Sequence, residues 1–281
     1  MATPEQRPPV PAKHAHESLR QDVRRRAVAF GLVFVAAFGV RLLCWCDVRF
    51  EAYKVQTSVT ENYRHMARLL MENGVVSFYD PASTTSEPDL LGHPPGYPFV
   101  LAAVYGLFGE SDAAAQIFQA ACDALAAALV FLIAAELLTF GVGVIAGALA
   151  VVAPQLCWNS LMLLPDTLAV LPLLLAVWLL VRAREGRGVL KALGAGVLVG
   201  LSCWLRANAL LLAPFMAIGA VPFLFARGAR VRPALALVAG ALLAVAPLTI
   251  RNAVVYGHFI PVSLGGGQTL IEGIGDYDPA G

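Results

Sequence analysis

A polytopic, all-α membrane fold with about seven crossings is predicted by three features of the chain. Only 14% of its 281 residues are charged, against about a quarter in ordinary soluble domains, while 58% are hydrophobic and the mean hydropathy is +0.70. Several apolar runs are as long as the roughly 17–25 residues that cross a hydrocarbon core about 30 Å thick. The remaining charges gather between those runs, where water and headgroups can solvate them. A water-soluble domain is thereby excluded. Twenty Lys and Arg against nineteen Asp and Glu leave a net charge of +1, so the overall balance gives no reason to expect nucleic acid as a partner. The cysteines (Cys44, Cys46, Cys122, Cys157 and Cys203) lie in or beside apolar stretches, at spacings that fit neither a zinc site nor a disulfide framework.

Residues 1–26 are polar, with prolines at 4, 8, 9 and 11 and a basic cluster of Arg20, Arg24, Arg25 and Arg26, which predicts a disordered tail on the cytoplasmic side. The apolar run 27–46 is longer than the 7–15 residue core of a signal peptide and reads as an uncleaved first span. Further runs occupy 97–108, 113–138, 141–160, 165–181, 189–205, 207–226 and 233–249. Two loops are basic, one with Arg182, Arg184, Arg187 and Lys191, the other with Arg227, Arg230 and Arg232. The positive-inside rule puts both on the cytoplasmic side with the N-terminus. An even number of crossings must then separate Arg26 from Arg182, yet five apolar runs lie between them, so one does not cross. The run 97–108 would reach only about 18 Å as a helix and is assigned to the interface.

Seven spans remain within a membrane domain at 27–249. The first outer loop, 47–112, is too long for a plain connector. It contains an amphipathic stretch at 61–72 with Tyr63, Met66, Ala67, Leu70 and Met71 at helical spacing, and closes on His93-Pro94-Pro95-Gly96-Tyr97-Pro98. Residues 250–281 begin a further outer segment that reads as truncated.

Polar residues cluster at the outer ends of these spans. Asp166 follows Pro165; Arg206 and Asn208 interrupt an apolar run; Arg251 and Asn252 end the last span; and Glu61, His65 and His93 belong to the first outer loop. Two outer arginines run against the positive-inside bias, and their planar forks suit bidentate bonding to phosphate. Snorkelling to headgroups is the plainer alternative. Asp166 reads either as a helix cap or, with Glu61, as a general base or a pair of oxygen ligands for a divalent metal ion. His93 is held by the two prolines that follow it, and Tyr97 reads either as a substrate contact or as an interfacial aromatic.

These residues also resemble, in order and spacing, the GT-C class of membrane glycosyltransferases, in the polyprenyl-phosphate-sugar-dependent branch that includes protein O-mannosyltransferases and lipid A aminoarabinose transferases. The resemblance rests on Tyr63-Arg64-His65-Met66-Ala67, Gly92-His93-Pro94-Pro95-Gly96-Tyr97-Pro98, Leu164-Pro165-Asp166-Thr167 and Leu205-Arg206-Ala207-Asn208. Its closing part is Pro247-Leu248-Thr249-Ile250-Arg251-Asn252, followed by Gly257-His258-Phe259-Ile260-Pro261 and Gly265-Gly266-Gly267. It implies juxtamembrane helices in the first outer loop above an active site. It also implies a sugar donor linked to a lipid phosphate, and inverting transfer to a hydroxyl of a lipid, glycan or protein acceptor at the outer face of a bacterial inner membrane. Asp166 then matches the acid of the second outer loop and Arg251 an arginine for donor phosphate. Arg206 follows the fifth span, and Tyr63, His93, Tyr97, Asn208 and Asn252 complete the candidate substrate-binding set. One departure concerns the first-loop acid: the family often has Asp four residues before the tyrosine, a position held here by Val59, which leaves Glu61 as the substitute catalytic candidate. A transporter or flippase of a lipid-linked anion and an inactive fragment of such an enzyme are the alternative readings.

Overall fold

The computed structural model describes residues 12–86, 92–184 and 188–265. Arg187 of the first basic loop, Gly266 and Gly267 of the glycine run, and the tail before residue 12 lie outside them. Among the described residues every regular element is helical. In chain order, the helices are α1 (Ala12–Val48), α2 (Thr57–Asn73), α3 (Gly96–Phe108), α4 (Asp112–Leu137), α5 (Phe140–Val152), α6 (Pro154–Asn159), α7 (Asp166–Ala183), α8 (Gly188–Leu205), α9 (Leu212–Gly219), α10 (Val221–Leu224) and α11 (Val231–Tyr256).

Among the described residues, six segments, against the seven expected, are long and apolar enough to cross a membrane: 20–48, 112–137, 166–183, 188–205, 207–224 and 227–256. The difference lies in the predicted span 141–160, which is broken. Pro154 has no N–H for the carbonyl of Ala150 and pushes Ala153 to an extended conformation (φ −64°, ψ 111°), so α5 stops after 13 residues and α6 restarts as a single short turn. A second correction concerns the tail. Helix α1 begins at Ala12, not after Arg26, because the prolines end at Pro11 and the following Ala, Arg and Glu residues favour helix. Helix α3, at 13 residues, is too short to cross and packs against α2. The amphipathic α2 buries Thr60, Tyr63, Met66, Ala67 and Leu70, while Met71 turns outward.

The contacts define two ends of the bundle. At the basic end, the Arg25 guanidinium stacks 3.8 Å over Phe140, Arg182 reaches Glu136 at 3.4 Å, and Arg230 donates to Phe225 O and Pro222 O at 2.9 and 2.7 Å. At the opposite end meet the starts of α4 and α7, the ends of α8 and α11, and the long loop carrying α2 and α3. The stretch 140–162 runs back along α4 between them: Gly143 lies against Ala135, and Leu161 O accepts from Gln116 Nε2 at 3.0 Å. Helices α8 and α11 cross closely through small residues. A Cβ at Gly196 would stand 2.0 Å from Leu237 O, and one at Gly240 would stand 2.2 Å from Leu193 O, so only glycine permits this approach. Large apolar side chains such as Leu32, Val35, Leu242, Leu243 and Ile250 point outward, as expected when the surrounding solvent is hydrocarbon.

Candidate active site at the polar end

The prolines of His93-Pro94-Pro95 deliver the chain into α3, whose first residue, Gly96, rests on the end of α8. A Cβ there would meet Trp204 O at 2.4 Å. This contact seats Tyr97 in full burial, where its hydroxyl bonds Gln119. Gln119 Nε2 donates in turn to Ser160 O and Met162 O at 3.3 and 2.5 Å. With Gln116, it holds the turn that leads into Asp166. The structure therefore places Tyr97 inside a scaffold and not on a wet surface.

Tyr63 stands edge-on to Tyr97 with ring centroids 5.0 Å apart, and His93 lies against its other side at 5.4 Å. Three residues of the predicted set thus converge. The Tyr63 phenol is pushed up to about 12, by burial first, with Arg206 pulling it back and Asp166 adding to the rise. Tyr63 therefore feels both charges of the neighbouring Asp166–Arg206 pair. The folded protein keeps this proton in the pH range 10 to 12, where the unfolded chain gives it up, so the associated stability is complete below pH 10 and lost as pH rises to 12. Tyr63→Phe is expected to flatten the alkaline fall of the thermal midpoint between these limits. An unchanged slope would assign that fall to other groups.

Pro165 sets the entry to α7 at φ −71°, and Asp166 becomes its first residue, at the positive end of the helix dipole. Its carboxylate goes to Arg206 Nη2 at 2.7 Å. Arg206 sits in the extended break (φ −142°, ψ 115°) between α8 and a 3₁₀ turn at Ala207–Leu211. Both partners are partly exposed. They share a cleft with Ser202 and Asn208, whose walls continue into Ala169, Val170, Leu173 and Leu212.

Arg251 and Asn252 are buried, not open at a rim. The Arg251 guanidinium stacks 4.0 Å over Phe78 and donates to Phe78 O at 2.9 Å, Thr85 O at 3.3 Å, Ser86 Oγ at 3.4 Å, and Asn252 Oδ1 and Tyr256 Oη at 3.1 Å each. All these acceptors are neutral. Asn252 Nδ2 donates to Ile260 O and Val262 O, both at 3.0 Å, and so folds the chain after α11 back over the site. A small pocket joins Arg251, Asn252 and Tyr256 to Tyr63 and His93.

Glu61 is not brought to Asp166. It occupies the solvent side of α2 and bonds Arg64, while Asp166 is held by Arg206. Val59, where the family resemblance led to an acid, packs in the apolar cluster with Tyr63, Leu163 and Leu168. Among the described residues, no group of three or more His, Cys, Asp or Glu side chains is placed to share a metal ion. The two carboxylates expected to share an ion serve different arginines, Glu61 on Arg64 and Asp166 on Arg206.

The sequence reading missed Asp112. Arg64 Nε and Nη2 grip its two oxygens at 3.2 and 2.6 Å, and Tyr105 Oη donates to it at 2.8 Å. Burial disfavours the Arg64 charge, but Asp112 and then Glu61 hold its guanidinium above the ordinary range. This latch ties α2 to the start of α4 and thereby orients Tyr63. Its one sequence signal was Ser111-Asp112, the opening of a helix; Ser111 caps it by accepting from Ala114 N at 3.3 Å.

The helical bundle carries short helices folded over an acid–arginine cleft at its polar end. The family model for dolichyl-phosphate-mannose-protein mannosyltransferases matches residues 92–250, more than half of the chain. The chain belongs to that family. The matched region includes Asp166 and Arg206, and Glu61 and Tyr63 precede it. No curated protein matches the chain.

Proposed function

We propose that this chain transfers a sugar from a polyprenyl-phosphate donor to an acceptor hydroxyl, with inversion, at the polar end of the bundle. The basic end faces the cytoplasm in this reading, and the active end faces away from it across a bacterial inner membrane. The observation that carries the proposal is the Asp166–Arg206 pair at the head of an apolar cleft. A lipid phosphate needs a cation for its head and apolar walls for its tail, and this cleft supplies both. The acceptor oxygen attacks the anomeric carbon as its proton passes to the Asp166 carboxylate. The bond from that carbon to the phosphate oxygen breaks, and the guanidinium of Arg206 takes the charge that develops on the departing phosphate. Arg206 bonds Asp166 through one nitrogen, which leaves the rest of its fork for phosphate oxygens.

The test is transfer from a radiolabelled polyprenyl-phosphate sugar by the reconstituted protein. Asp166→Asn and Arg206→Gln are each expected to lower turnover about a hundredfold, with the fold retained because both residues are partly exposed. Glu61→Gln is expected to turn over as the parent does. Full turnover in the Asp166 variant would remove its assignment as base, and loss in the Glu61 variant would transfer that role to the first loop.

A further inference from the structure

A groove at the basic end plays no part in this chemistry. It runs between the middle turns of α1 and the start of α5, and is lined by Gln21, Arg24, Arg25, Val28, Ala29, Leu32 and Phe140. Its floor is apolar and its rim is cationic. Arg25 is held in place with its guanidinium 3.8 Å over the Phe140 ring, and the stacked plane keeps its N–H edge available for hydrogen bonding. Arg24 is exposed beside it, and among the described residues neither arginine is paired with a carboxylate. Among the described residues, the nearby acids are engaged elsewhere, Asp22 by Arg26 at 2.8 Å and Glu136 by Arg182 at 3.4 Å. The first N–H groups of α5, opened by the Thr139 cap, add a positive helix end at the same place. Below the arginines, Val28, Leu32 and Val35 form one exposed apolar strip at helical spacing.

We infer that this groove binds one anionic phospholipid, with its phosphate between Arg24 and Arg25 and an acyl chain along Val28, Leu32 and Val35. Charge complementarity selects the occupant. A zwitterionic lipid would bring its own cation against the two guanidiniums, whereas a phosphatidylglycerol-type headgroup brings net negative charge and hydroxyls for Gln21. The site is separate from the Asp166 cleft at the other end of the bundle.

Native mass spectrometry of the full chain, released from detergent with equimolar phosphatidylglycerol and phosphatidylcholine, tests the inference. The parent is expected to retain phosphatidylglycerol preferentially. Arg24→Gln/Arg25→Gln should reduce that preference on the order of thirtyfold, and Phe140→Ala should reduce it in part by freeing Arg25. Arg227→Gln/Arg232→Gln, which removes the same charge from another loop of the same end, should leave it intact. Equal loss in both double variants would show diffuse attraction and overturn the site, as would full retention in Arg24→Gln/Arg25→Gln. A matching thermal midpoint for all variants secures the comparison.

Discussion

Arg251→Met is expected to destabilise the protein by about 4 kcal/mol and to free the segment around Phe78–Ser86 for proteolysis. The magnitude follows from what the guanidinium leaves behind. Phe78 O and Thr85 O have their bonds to Arg251 and are buried beneath it, and a buried acceptor without a partner costs about 1–3 kcal/mol. Ser86, Asn252 and Tyr256 can turn to other partners, so they add less. Arg251→Lys keeps the charge but cannot supply a planar fork to acceptors on several sides, and it should recover only a minor part. Thermal unfolding in detergent and limited proteolysis give the two readouts, and variants with the parent's midpoint and protease pattern would refute the anchoring role.

The long helices could be read from the sequence because each is an apolar run whose ends coincide with a hydrophilic break. The predicted spans 113–138, 165–181 and 189–205 differ from α4, α7 and α8 by no more than two residues at any end. Breaks inside an apolar run were harder. Hydropathy does not register that Pro154 removes one N–H, so the span at 141–160 was read straight through. The site was visible as residue types and not as geometry. The pairing of Asp166 with Arg206 joins residues 40 positions apart, and the cover over Arg251 comes from residues about 165–173 positions away. No local pattern announces either contact. The outward direction of Glu61, by contrast, was available in principle: two residues before Tyr63 on a helix is about 200° around the axis, which sends it to the opposite face from the buried tyrosine.

Arg41 was hidden for a different reason, since a single arginine is averaged away in the run 27–46. Asp123→Leu is expected to cost about 3–5 kcal/mol, because it leaves Arg41 as a buried charge without its counter-ion. The Arg41 side chain is sealed from solvent and bonds Asp123 Oδ2 through Nε at 2.5 Å. Its other nitrogens donate to Ala37 O at 3.2 Å, Val151 O at 3.0 Å and Ala150 O at 3.1 Å. The last of these bonds explains why an arginine is there at all. Ala150 O is the carbonyl that Pro154 leaves without an N–H, and in hydrocarbon such a group costs several kcal/mol. The guanidinium therefore caps the broken end of α5, and Asp123 neutralises the cap. Removing both charges in Arg41→Met/Asp123→Leu should cost less than the sum of the single changes, yet not return to the parent, because Ala150 O stays orphaned. Adding Pro154→Ala restores the missing N–H and should recover most of the remaining loss by letting α5 run on into α6. Thermal midpoints of the single, double and triple variants in one detergent decide the matter. A double variant as stable as the parent, with no further gain from Pro154→Ala, would show that the arginine serves the aspartate alone and not the helix break.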